Sequence, residues 1–146
     1  DQGISALISN EKTSKNNKVL AETIMSAVGH VVWLESESQM DAVTAVSGTG
    51  PSYFYLLIDI MIESARKFGI DADTARTLAV ETARGATSLA AAETESMAAL
   101  IDRVKSPGGT TTAAFRYLDK MDAREIFATA IDEAEKRAAE LAKLAE

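Results

Sequence analysis

Cysteine is absent from the 146 residues, which excludes disulfides and any thiolate metal or redox centre. One histidine, His30, is present, too few for a histidine-based metal site, and a Ser-His-Asp triad built on it is disfavoured. No apolar stretch reaches 18 residues without a charge, so no membrane span and no membrane partner are expected. Long basic runs are also missing: 15 basic against 22 acidic residues leave a formal charge of −7, which argues against nucleic acid as a partner. A secretory signal pattern is lacking, and the cytoplasm is the expected compartment. The first residue is Asp1 and not methionine, which reads as a processed chain or a piece of a longer one. What remains is an ordinary soluble mixture, 47% hydrophobic and 25% charged, long enough for one domain or one and a fraction.

Residues 1–36 and 37–146 read differently. Ile4-Ser5-Ala6-Leu7-Ile8 alternates apolar and small residues over a strand's length. Asn10 to Asn17 is polar and turns the chain. Val19, Leu20, Ile24, Ala27 and Val28 recur at helical spacing, Gly29 is a natural stop, and Val31-Val32-Trp33-Leu34 is again of β type. A β-α-β unit of this size is too small to stand alone and reads as the end of an α/β sheet with open edges. From about Gln39 onward the pattern is helical. Pro51 suits the first turn of a helix ending at Gly69. That helix is apolar almost all round, through Phe54, Leu57, Ile58, Met61, Ala65 and Phe68, with Tyr53, Leu56, Ile60 and Ile62 beside them. Only Asp59, Glu63 and Arg66 make a polar stripe, so the helix must be buried on nearly every side.

Asp71 can cap a helix over 72–92, which carries Ala75, Ala79, Ala83, Ala86 and Ala90 at spacings of three and four. That stripe fits close helix packing or plain alanine propensity equally well. A short helix to Val104, one from about Thr111 to Met121 and one over about 123–145 follow. Phe127, Ile131, Ala134, Ala138 and Leu141 share one face of the last, with Asp132–Lys136 and Glu133–Arg137 spaced as i,i+4 ion pairs. His30, beside a strand, reads as structural or exposed more readily than catalytic; Trp33, Tyr53 and the methionines read as packing residues.

Two glycine-bearing turns each read as opening a helix: Ser47-Gly48-Thr49-Gly50-Pro51-Ser52 and Ser106-Pro107-Gly108-Gly109-Thr110-Thr111-Thr112. A helix start presents unpaired N–H groups and partial positive charge, and suits a carboxylate or a phosphate. The same residues also serve as ordinary caps. Neither turn is a Walker loop, because no lysine follows the glycines, and neither is the dinucleotide fingerprint.

Met40 to Tyr53, read as MDAVTAVSGTGPSY, resembles the entry to the helical domain of the pyrroline-5-carboxylate reductase family. Val104-Lys105-Ser106-Pro107-Gly108-Gly109-Thr110-Thr111 resembles that family's substrate loop. The order of elements agrees from about Gly3 to about Leu141. The resemblance implies a mainly α fold: a helical dimerisation bundle over 37–146, preceded at 1–36 by a short β-α-β remnant of a Rossmann-type nucleotide-binding domain. It implies reduction of 1-pyrroline-5-carboxylate to L-proline with NADPH or NADH, the last step of proline biosynthesis. It implies no metal, and a homodimer that can build larger assemblies. The substrate carboxylate would meet the Gly109, Thr110 and Thr111 amides, Ser106 and Gly108 would line the site, and the Thr111 hydroxyl would bond the ring nitrogen as the catalytic contact. The 47–52 turn takes a supporting role. Residues binding the cofactor are not found in this chain and are expected on the amino-terminal domain, so this chain alone is expected to be inactive. A non-catalytic helical dimerisation module is the alternative, and an unrelated small-anion binder a third reading.

Overall fold

The computed structural model describes residues 3–144. Two parallel strands, β1 (Gly3–Leu7) and β2 (Gly29–Trp33), are joined by helix α1 (Lys15–Ser26), with Gly3 opposite Gly29 and Leu7 opposite Trp33. The turn before α1 is built by Asn10, whose Oδ1 accepts from the Lys12 N–H at 3.1 Å and the Thr13 hydroxyl at 2.9 Å. Ser14 then caps the helix by accepting from the Asn17 N–H. Gly29 does not end α1; it opens β2, where a Cβ would run into the backbone of Gly3.

Paired residues on parallel strands point to the same side, so this small sheet has two distinct faces. On one, Trp33 donates its indole N–H to Glu22 at 3.1 Å, and Lys18 lies over its ring. On the other, Ile4, Ala6, Val32 and Leu34 border an apolar hollow of about 410 Å³ whose far wall is Gln39, Ala42, Val43, Val46 and Ser47. His30 is exposed on β2. Val19, Leu20 and Ile24 of α1, and Val28 after it, are exposed as well.

Helix α2 (Gln39–Val43) passes directly into one wide turn over Thr44–Gly48, then into α3 (Gly50–Lys67). In that turn the Thr49 N–H donates to the Thr44 carbonyl five residues back, at 2.9 Å. Pro51 accounts for the widening, because it has no N–H and its ring collides with the carbonyl four residues earlier in a regular helix. The Ser47–Ser52 segment is therefore not a helix start, as its sequence implies, but a bulge within a continuing helix. Helix α3 ends as expected: Gly69 takes φ +88°, and the Ile70 and Gly69 N–H groups return to the Ala65 and Arg66 carbonyls.

Asp71 caps α4 (Ala72–Ala92) by accepting from the Thr74 N–H at 3.0 Å. That hydrogen bond, chiefly, holds its carboxyl below the usual carboxylate range. On α4, Ala75 and Ala79 are buried and Ala83 and Ala90 half-buried, whereas Ala86, on the same face, is exposed. Ser96 caps α5 (Met97–Val104), and Arg103 reaches back to Glu93 and Glu95 at 3.2 and 3.4 Å, tying the connection to the helix it precedes. Helices α6 (Thr110–Lys120) and α7 (Ala123–Leu144) follow. On α7 the ion pairs are Glu133–Lys136 and Arg137–Glu140, both i,i+3 and exposed. The i,i+4 pairs that the sequence spacing offers are not the ones formed.

The chain divides into two compact units, Asp1–Pro51 with Thr129–Glu146, and Ser52–Ala128. Among the described residues the buried apolar side chains are Ala45, Ala75 and Ala79, and no large side chain is fully buried. Phe54, Leu56, Leu57 and Ile60 of α3, and Phe68 just after it, are all half exposed or more. No described helix is long and apolar enough to cross a membrane.

Candidate functional site

The second glycine turn is made by its own sequence. Pro107 supplies the fixed φ of the second turn position and Gly108, at φ +72°, the left-handed third position. The Gly109 N–H closes the turn on the Ser106 carbonyl at 2.9 Å. This is a type II turn with the residues it requires. Gly109 itself sits at φ −76° and ψ 170°, a conformation open to any residue. It is needed for a different reason: a Cβ at 109 would fall on the Ser106 hydroxyl and lie 3.2 Å from the Ser106 carbonyl.

From this turn α6 departs with no side chain capping its start. The first intrahelical partner of the Gly109 carbonyl is the Ala113 N–H at 3.1 Å. The N–H groups of Thr110, Thr111 and Thr112 thus precede the first complete helical hydrogen bond and face outward along the axis. Thr110 is exposed, and Thr111 and Thr112 are half-buried. The Thr112 hydroxyl donates to the Ser106 carbonyl at 2.6 Å. That carbonyl therefore holds both the turn and the helix. Lys105, half-buried just before the turn, pairs with Asp102 at 3.1 Å and lies 4.5 Å from the centre of the Phe115 ring.

Of the residues singled out in sequence, Ser106, Gly108, Gly109, Thr110 and Thr111 are thus together in one turn and helix start. The Gly109 N–H is committed inside the turn, so the N–H groups left open at this helix start are those of Thr110, Thr111 and Thr112. Thr112 and Lys105 stand in the motif, but spacing alone gives no sign that one clamps the turn and the other its flank. The first glycine turn is not a comparable cradle, since its backbone is helical on both sides.

Residues 37–141 match the family model described as pyrroline-5-carboxylate reductase dimerisation. A pyrroline-5-carboxylate reductase of Pseudomonas aeruginosa is 41% identical over 142 residues, covering 97% of this chain and 52% of that protein. Among solved structures, a pyrroline-5-carboxylate reductase from Coxiella burnetii superposes with a TM-score of 0.90 at 40% identity, over 96% of this chain and 52% of that one. The Plasmodium falciparum pyrroline carboxylate reductase with NADP bound gives 0.82 at 27% identity, over 91% and 51%. The chain spans about half the length of the relatives it matches.

Proposed function

The chain belongs to the pyrroline-5-carboxylate reductase family and carries its dimerisation domain, and from that premise we propose that it serves as the substrate-binding and dimerising half of such a reductase. In this reading residues 37–146 form the helical part and residues 1–36 the last strands and helix of a nucleotide-binding sheet. The protein of which it is part works in the cytoplasm, reduces 1-pyrroline-5-carboxylate to L-proline and uses NADPH or NADH. A nicotinamide held by the half of the family's length outside this chain supplies the hydride.

What this chain's own residues do follows from the loop. The substrate is a small ring with a carboxylate beside a C=N bond. The Thr110 and Thr111 amides at the start of α6 are donors already aimed outward, and partial positive charge there favours the carboxylate. Donors fixed before the substrate arrives need no reorganisation as charge shifts in the reaction. Ser106, Gly108 and Gly109 shape the approach. The Thr111 hydroxyl is assigned to the ring nitrogen as a hydrogen-bond donor; that nitrogen takes a proton from water as the imine carbon takes the hydride. Holding the ring at two points orients that carbon for transfer. The observation that carries this reading is the type II turn leading into an uncapped helix start, within a chain that matches the family along 37–141.

Dimerisation completes the proposal. Helix α3 is apolar nearly all round and half exposed along much of its length. A second copy covering it, with larger assemblies built from such dimers, removes that surface from water.

The test of the site uses a protein of full family length carrying this chain. Thr111→Ala is expected to lower kcat/KM for the pyrroline substrate by roughly 10²–10³, with dinucleotide affinity nearly unchanged. Ordinary turnover with only a lowered melting temperature would show that the turn is a helix cap and nothing more.

A further inference from the structure

Resting on the reading of this loop as the substrate loop, we propose that Thr112 is a positioning residue: its hydroxyl fixes the Ser106–Gly109 turn against the start of α6 and so holds the Thr110 and Thr111 amides in place for the carboxylate.

The argument starts from what threonines do elsewhere in this chain. Thr23, Thr44, Thr77 and Thr87 donate to the carbonyls of Val19, Met40, Asp73 and Ala83, each four residues back along its own helix. That is the default of a helical threonine. Thr112 departs from it and reaches six residues back, out of its helix, to the Ser106 carbonyl at 2.6 Å. The contact joins the residue that begins the turn to the third residue of the helix. It therefore spans every backbone group assigned to the carboxylate.

Without this contact the turn is closed by one backbone hydrogen bond, Gly109 to Ser106 at 2.9 Å. The turn is exposed at Ser106, Pro107 and Gly108, so water competes for that bond. Thr112 is half-buried, and its donor occupies the second lone pair of the same carbonyl. The two bonds determine where the Ser106 peptide lies relative to the helix axis. The Ser106 side chain packs over Gly109. A loop that must be ordered on binding reduces affinity for its ligand, whereas a loop already ordered does not. Thr112 touches no reacting atom in this arrangement, so its effect belongs on substrate affinity and not on the chemical step.

The experiment compares Thr112→Val, Thr112→Ser and Thr111→Ala in a protein of full family length carrying this chain. Valine keeps the shape of threonine and removes the donor; serine keeps the donor and removes a methyl group. For Thr112→Val, KM for 1-pyrroline-5-carboxylate is expected to rise roughly fivefold to tenfold, as for one lost hydrogen bond, while kcat and the KM for the dinucleotide stay within about twofold. Thr112→Ser is expected to restore KM to within about twofold of the parent. An unchanged KM in Thr112→Val overturns the proposal, as does a lowered melting temperature without a change in KM, or a failure of serine to restore it. If Thr111→Ala lowers kcat/KM while Thr112→Val changes nothing, only the positioning role falls. If neither change affects kinetics, the loop does not take the substrate, and the underlying reading falls with it.

Discussion

Leucine 57 tests whether α3 is the seat of association. In the single chain its side chain is 53% exposed. Full burial of a leucine contributes roughly 1.5–3 kcal/mol, so about half, roughly 1–1.5 kcal/mol, is left to be gained against a second copy. In a symmetric dimer the same residue counts twice, giving about 2–3 kcal/mol. Truncation to alanine keeps part of that, so Leu57→Ala is expected to weaken the dimer roughly 10–100-fold, at a tenfold change per 1.4 kcal/mol. Leu57→Asp does more, because each copy then carries a carboxylate into an apolar contact that offers it no partner. It is expected to abolish dimers at micromolar concentration. Loss of association should also loosen the fold, since the single chain's buried apolar side chains, among those described, are three alanines; for the parent, the melting temperature should rise with protein concentration. Sedimentation equilibrium on both variants and the parent gives the dissociation constants directly. Glu63→Gln is the control: Glu63 lies on the polar stripe in an exposed pair with Arg66 at 2.9 Å, and such pairs contribute little. A Leu57→Asp dimer as tight as the parent would refute the placement of α3 in the interface.

Two further perturbations address local structure. Gly109→Ala is expected to destabilise the chain by about 1–3 kcal/mol through overpacking against Ser106; adding Ser106→Ala, which removes the obstructing hydroxyl, should recover most of it. Thermal unfolding of the two singles and the double gives the coupling, and strict additivity would show that the clash is not the cause. For Asp71, the capping hydrogen bond from Thr74 lowers its pKa in the folded chain below the ordinary 3.8. Its stabilising contribution is therefore complete above that value and is lost as pH falls through the lower, folded value. The gap in melting temperature between the parent and Asp71→Ala should be constant at neutral pH and shrink in acid below the carboxylate range. A gap that stays the same in acid would mean that the charge has no part in the cap.

The helices and strands were legible in the residues because the interactions that begin and end them are short in sequence. Ser14, Asp71 and Ser96 cap their helices through N–H groups three residues ahead, and Gly69 ends α3 within one turn. The Pro-Gly pair at 107–108 likewise specifies its turn by itself, because proline restricts one φ and glycine alone readily takes the next. The all-round apolar character of α3 also follows from composition along one helix. Other features needed the folded backbone. Ser47 to Ser52 carries the marks of a helix start, yet proline can be accommodated either by beginning a helix or by widening one, and the preceding turn from Gln39 decides for the second. The α7 ion pairs depend on side-chain reach, which spacing leaves open between i+3 and i+4. In the 106–112 loop the residue types were evident, but not which N–H is already committed. That was decided by the Ser106 carbonyl, which meets Gly109 and Thr112 only when the turn has folded back onto the helix it precedes.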